Sequence, residues 1–138
     1  MKKRESISTI MTDSLVTVNL NDDLRKVKDI FAKGKFRHLP VMDGEKLVGM
    51  VSKNDIMRLS FGQVFDNQGD ADEAVLDMLS IDQIMTHNIT SIDVNATVKD
   101  AAEIFVSSKF HSLPVMQDGK VVGIVTSTDI IKYMLDQY

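Results

Sequence analysis

The chain has no cysteine, no tryptophan and only two prolines among its 138 residues. Without cysteine, disulfides, thiol chemistry and thiolate-held metals are excluded. No run approaches the roughly 18 consecutive apolar residues a membrane span needs, so no membrane association is expected. The start, Met1-Lys2-Lys3-Arg4-Glu5-Ser6, is basic but is not followed by the apolar stretch of a signal peptide. A cytoplasmic location is the expectation. The net charge is −4, with no dense basic stripe, which excludes the phosphate-dominated binding of most nucleic-acid proteins. His38, His87 and His111 share no helical ligand spacing, and no metal site is expected from them. No Ser-His-Asp set, paired carboxylates or Walker-type glycine-rich loop stands out, so no enzyme activity is expected.

What the chain has is itself, twice. Ile10-Met11-Thr12 returns 74 positions later as Ile84-Met85-Thr86. Leu39-Pro40-Val41-Met42 returns as Leu113-Pro114-Val115-Met116, and Gly49-Met50-Val51-Ser52-Lys53-Asn54-Asp55-Ile56 as Gly123-Ile124-Val125-Thr126-Ser127-Thr128-Asp129-Ile130. The offset holds without insertion from Ile7/Ile81 to Ile56/Ile130. At about 55 residues each copy buries too little core to be secure alone, so the two are expected to fold as one unit with two equivalent clefts between them. The expected layout is repeat one over 1–60, a linker with a short helix over 61–80, and repeat two over 81–138. Charge is split unevenly: residues 1–60 carry +4 and residues 61–138 carry −8.

Within copy one, Thr17-Val18 reads as a short extended segment. Asn21-Asp22-Asp23 supplies caps for a helix carrying Leu24, Val27, Ile30 and Phe31 on one face, ended by Gly34. His38–Met42 and Lys46–Val51 read as strands joined at the Asp43-Gly44 turn signal, and Ser52 opens a helix through about Leu59. Copy two follows with Ser91-Ile92, a helix from about Thr97 to Ser107, strands at His111–Met116 and Lys120–Val125, and a helix from Ser127. Phe61–Gly69 reads as a loop and Ala71–Leu79 as a short amphipathic helix. Pro40 and Pro114 point to an edge-like strand.

A βαββα repeat with I-M-T at its start, L-P-V on the first hairpin strand and G-h-V-[ST]-x-x-D (h apolar) ending the second resembles the CBS domain. The pair resembles a Bateman module, and its size is similar to that of the small acetoin-utilisation-type CBS proteins. The resemblance implies an α+β fold of two tandem CBS repeats packed as one pseudo-two-fold module. It also implies binding of an adenosine-containing ligand, AMP, ADP, ATP or S-adenosylmethionine, and control of another protein. With no catalytic domain attached, an unidentified separate partner is expected. CBS pairs commonly form homodimers, and halves of opposite charge favour a head-to-tail arrangement.

Ser52-x-x-Asp55 and Thr126-x-x-Asp129 carry the sharpest chemistry. A hydroxyl at a helix start caps it, and the outward amides suit a phosphate. The same spacing is also a purely structural capping box. The resemblance gives the hydroxyls to phosphate and the aspartates to a ribose diol, and capping and binding can coexist. It further places adenine contacts near Thr17, Pro40, Ser91 and Pro114. Basic groups that meet phosphates fall at Arg37, His38 and His111, with Lys35, Lys53 and Lys109 nearby. Gly49 and Gly123 either leave space for a nucleotide or permit close strand packing. Two other readings are open: a structural or dimerisation module with empty clefts, and a divalent-cation sensor using the acids of Asp66–Asp77.

Overall fold

The computed structural model describes residues 4–34, 36–61 and 69–138. Lys35 and the centre of the expected Phe61–Gly69 loop lie outside the described residues. Each copy opens on one short helical turn, Ile7–Thr9 or α4 (Ile81–Ile84), which the sequence pattern does not announce. In copy one there follow β1 (Val18–Asn19), α1 (Leu24–Ala32), β2 (His38–Asp43), β3 (Lys46–Ser52) and α2 (Lys53–Phe61). Copy two has β4 (Ile92–Asp93), α5 (Val98–Ser107), β5 (Ser112–Gln117), β6 (Lys120–Thr126) and α6 (Ser127–Asp136), and α3 (Gly69–Met78) is the expected linker helix. The fold is α+β.

Local chemistry sets the element boundaries. Asp23 caps α1 by accepting from the Lys26 amide at 3.0 Å. Thr97 and Asp100 cap α5 reciprocally, each side chain accepting the other's backbone N–H. The predicted stop at Gly34 lies one residue past the C-cap Lys33, and its backbone is not left-handed. In the second hairpin both loop residues, Asp118 and Gly119, take positive φ of 52° and 81°, as a type I′ turn requires.

Each copy forms a three-stranded sheet, in the orders β1-β2-β3 and β4-β5-β6. The first pair is parallel and the second antiparallel. β2 and β5 are therefore central strands, not the edge-like strands expected from their prolines. The register explains why proline is tolerated. Pro40 lies opposite Met50, whose N–H and C=O both bond away from β2, to Thr86. The pair is thus of the non-hydrogen-bonded kind, and residue 40 points its backbone toward β1. β1 pairs only with Val41 and Met42, so the missing N–H costs no ladder bond. Pro114 opposite Ile124 repeats this, with Thr12 as the outer partner.

Two compact units result: Val16–Ile89, and Met1–Leu15 together with Thr90–Tyr138. The units do not coincide with the sequence period, because each holds the lead-in segment of the other copy. In Val16–Ile89, Ile81 and Met85 join a core of Leu24, Val27, Phe31, Leu39, Val41 and Val51. Leu76 of α3 is buried in the same cluster, and Asp77 beside it pairs with Arg25 of α1 at 2.8 Å. In the other unit Ile7 joins Ile92, Val98, Leu113, Val115, Val125, Ile130 and Tyr133. Thr86 and Met50 exchange backbone bonds of 2.8 and 3.1 Å, and Thr12 and Ile124 exchange bonds of 2.8 and 2.9 Å. Ile7 and Ile81 are fully buried, and burying such a side chain stabilises by about 1.5–3 kcal/mol. Each lead-in segment is therefore firmly seated.

Candidate functional site

Parallel pairing of β1 with β2, and the hairpin return of β3, bring distant residues to one end of the sheet. Thr17 lies one residue before the Val18–Val41 pair, level with Pro40. His38 opens β2 opposite Ser52, the last residue of β3. The Lys53 amide then donates to the Arg37 carbonyl at 2.8 Å, tying the start of α2 to the approach to β2. Thr17, Arg37, His38, Pro40, Ser52 and Asp55 thus share one sheet end. The second unit assembles the equivalent set: Ser91 level with Pro114, Ser112 opposite Thr126, and Ser127 N–H on the His111 carbonyl at 2.9 Å. Thr17, Arg37, Ser91 and His111 are exposed, His38 is partly buried, and both prolines are buried. Pro40 and Pro114 belong to the floor of the site rather than to its surface.

The helix starts are more fully occupied than the sequence pattern implies. Asp55 accepts the Ser52 N–H at 2.8 Å while Ser52 Oγ accepts the Asp55 N–H at 3.1 Å. Thr126 and Asp129 repeat the exchange at 2.8 and 3.1 Å. A helix start leaves four amides without intrahelical partners. In α2 the Ser52, Lys53 and Asp55 amides are satisfied by protein, leaving only Asn54 among the described residues. Thr128 is the corresponding amide of α6. Each start therefore offers an anion one free N–H rather than a cradle. An anion at either start would have to be held mainly by side chains.

The two carboxylates differ. Asp55 Oδ1 is paired with Arg58 Nη2. Asp129 has no partner beyond its cap among the described residues, although Lys132 stands at the same three-residue spacing. The basic groups expected for copy one, Lys35, Arg37, His38 and Lys53, do not include Arg58. The i,i+3 rule for helix neighbours is the signal that finds it.

Gly49 and Gly123 have a definite role. The Met85 side chain occupies the space that a Cβ on Gly49 would need, and Met11 does so at Gly123. Close packing of the lead-in methionines, not room for a ligand, accounts for both. Each glycine also adjoins a bulge, since Val41 faces Gly49 while Met42 faces Leu47, leaving Val48 unpaired. His87 Nε2 lies 3.2 Å from Asp82 Oδ1.

A repeated three-stranded unit with a doubly bonded helix cap at the end of its hairpin defines a tandem α+β architecture. The chain belongs to the CBS domain family, whose pattern it matches over residues 7–62 and again over 81–136. A protein from Methanocaldococcus jannaschii, MJ1225, is 26% identical over 131 residues, covering 94% of this chain. The chain spans 43% of that relative's length, and 33% and 37% of two others from the same archaeon. The solved CBS domain pair of protein MJ0100, in complex with 5′-methylthioadenosine and S-adenosyl-L-methionine, is 26% identical. It superimposes with a TM-score of 0.79 over 96% of this chain and 98% of that one. An AcuB homologue from Vibrio cholerae shares the fold at 22% identity and a TM-score of 0.74, covering 96% and 91% of the two chains. CBS pairs are regulatory modules.

Proposed function

We propose that this CBS pair senses an adenosine-containing ligand, AMP, ADP, ATP or S-adenosylmethionine, and passes the resulting conformational bias to a separate protein. The observation that carries this is the duplicated placement of Asp55 and Asp129, each held in a fixed rotamer at a sheet end by its own helix cap. A carboxylate so held keeps acceptor capacity for the two hydroxyls of a ribose diol. The adenosyl ligands of MJ0100 support that chemistry in a related pair. Thr17 and Pro40, with Ser91 and Pro114, flank the adenine. Arg37, His38 and His111 meet phosphates, and copy one, with more basic groups, prefers the more phosphorylated ligand.

Signalling follows from differential affinity: the ligand favours one arrangement of the protein, and the partner reads it. The molecule works as a cytoplasmic homodimer. α6 supports the dimer, since Ile131, Met134 and Leu135 lie at helical spacing on one exposed apolar stripe. No described helix is long and apolar enough to cross a membrane. One observation favours a second reading, a dimerisation module with empty clefts: the Ser52/Asp55 and Thr126/Asp129 pairs are complete structural caps without any ligand.

Thermal melts with AMP, ADP, ATP and S-adenosylmethionine separate the two. A ligand at about 100 times its dissociation constant adds roughly 2.7 kcal/mol, a visible shift. A shift that is lost on Asp55→Asn or Asp129→Asn supports sensing. No shift with any of the four, in protein shown to carry no nucleotide, leaves the dimerisation module.

A further inference from the structure

We propose that Arg58 is an internal competitor for Asp55, so that the Asp129 position fills at lower ligand concentration than the Asp55 position. The inference rests on the reading that both aspartates take a ribose diol. In each copy one carboxylate oxygen, Oδ2, is committed to the backbone N–H of the capping residue. The other oxygen is the one a diol must engage. At Asp55 that oxygen already holds the Arg58 guanidinium; at Asp129 no protein donor meets it among the described residues.

The difference follows from the side chains. Asp55 and Asp129 are followed three residues later by Arg58 and Lys132. Arginine presents a planar fork matched to a carboxylate, whereas lysine is a strongly hydrated point charge on a flexible stem. The Arg58 side chain is 72% exposed and that of Asp55 is 11% exposed, so the guanidinium meets a partly buried carboxylate from the exposed face of the helix. A diol arriving from solvent has to displace it or share the oxygen. Exposed ion pairs of this kind are weak, and the competition is worth about a two- to fivefold difference in affinity. A graded response follows, with one position sensing low ligand and the other high ligand.

The test is a site-resolved titration of the 138-residue chain with AMP, followed by the backbone amide resonances of Ser52–Asp55 and of Thr126–Asp129. Wild-type protein should show the second group reaching its midpoint at about two- to fivefold lower AMP than the first. Arg58→Lys should bring the first group down to the second and leave the second unmoved. Lys132→Arg should raise the second group alone. Adenosine should reproduce the ordering, because the competition concerns the diol and not the phosphate. Equal midpoints in wild type, or a first-group midpoint unmoved by Arg58→Lys, overturn the proposal while leaving nucleotide sensing intact. A midpoint raised by Arg58→Lys also overturns it, because Arg58 is then a ligand contact. If neither AMP nor S-adenosylmethionine moves either group, the sensing reading itself falls, and the proposal with it.

Discussion

Met85 lies against Gly49, its thioether filling the place that any side chain at residue 49 would have to take. Met11 and Gly123 form the equivalent pair in the other unit. There a Cβ would lie 2.5 Å from Met11 Sδ and 3.1 Å from the Thr12 carbonyl oxygen. The methionine of Ile-Met-Thr and the glycine before Val-Ser or Val-Thr are therefore one device. Each glycine receives the methionine of the other sequence copy.

Alanine at either glycine should destabilise by overpacking, about 1–3 kcal/mol. Gly123→Ala should cost more than Gly49→Ala. A methionine can swing aside, but the Thr12 carbonyl is held by its 2.9 Å bond from the Ile124 N–H. Denaturant midpoints of the two variants measure the difference, and a neutral Gly123→Ala would contradict the packing.

Removing a capping hydroxyl, by Ser52→Ala or Thr126→Ala, should lower stability by about 1 kcal/mol. Each change leaves the amide of Asp55 or Asp129 without its 3.1 Å partner. Melts with and without AMP divide the roles. A lower melt with unchanged AMP affinity assigns the hydroxyl to capping alone; a weakened affinity adds ligand contact.

Acid should weaken the fold through two carboxylates. The Asn19 N–H, at 2.8 Å, and then the Lys26 ammonium hold the Asp22 carboxyl below its ordinary range. The Thr97 backbone N–H and then its hydroxyl do the same for Asp100. A lowered native pKa means the unfolded state binds protons more readily. The stabilisation is therefore present above the unfolded value of about 3.9 and is lost as pH falls through the lower native one. Stability measured from pH 6 to pH 2.5 should drop below about pH 4, less steeply in Asp22→Asn and Asp100→Asn. Identical profiles for variants and wild type would remove these two groups from the account.

The Tyr133 hydroxyl is buried with no hydrogen-bond partner among the described residues. Leu59 stands at the equivalent position of copy one, so the surrounding core does not require a polar group there. Leaving a hydroxyl unsatisfied costs about 1–3 kcal/mol, and Tyr133→Phe should match or exceed wild-type stability in a thermal melt. A clear loss would show that the hydroxyl is bonded in solution.

If α6 supplies the contact between copies, a charge in its stripe should break the dimer. Leu135, 65% exposed, is the most exposed side chain of the stripe. Leu135→Glu should shift sedimentation from dimer to monomer with little change in unfolding midpoint, since an exposed side chain carries little of the core. A variant that sediments as wild type places the dimer contact elsewhere.

Much of the fold is legible residue by residue. Caps at Asp23, Thr97 and Thr126, the Asp118-Gly119 turn and the short apolar runs of β2 and β3 are short-range chemistry, and each is written locally. Pro40 misleads, because whether its missing N–H matters depends on which side of β2 it faces. The clustering of Thr17, His38 and Ser52 at one sheet end follows from topology that the repeat pattern implies. The sharing of Asp55 between its cap and Arg58 does not, since it depends on a rotamer.

The sequence by itself determined that there are two copies, what each is made of, and which aspartates and hydroxyls stand at equivalent places. Only the tertiary structure decided which lead-in segment seats on which sheet. Ile10-Met11-Thr12 and Ile84-Met85-Thr86 are alike, and so are Gly49 and Gly123, so no local pattern distinguishes one pairing from the other. The choice rests on the burial of Ile7 and Ile81 and on the Thr12–Ile124 and Thr86–Met50 bridges, which form only once distant parts of the chain meet.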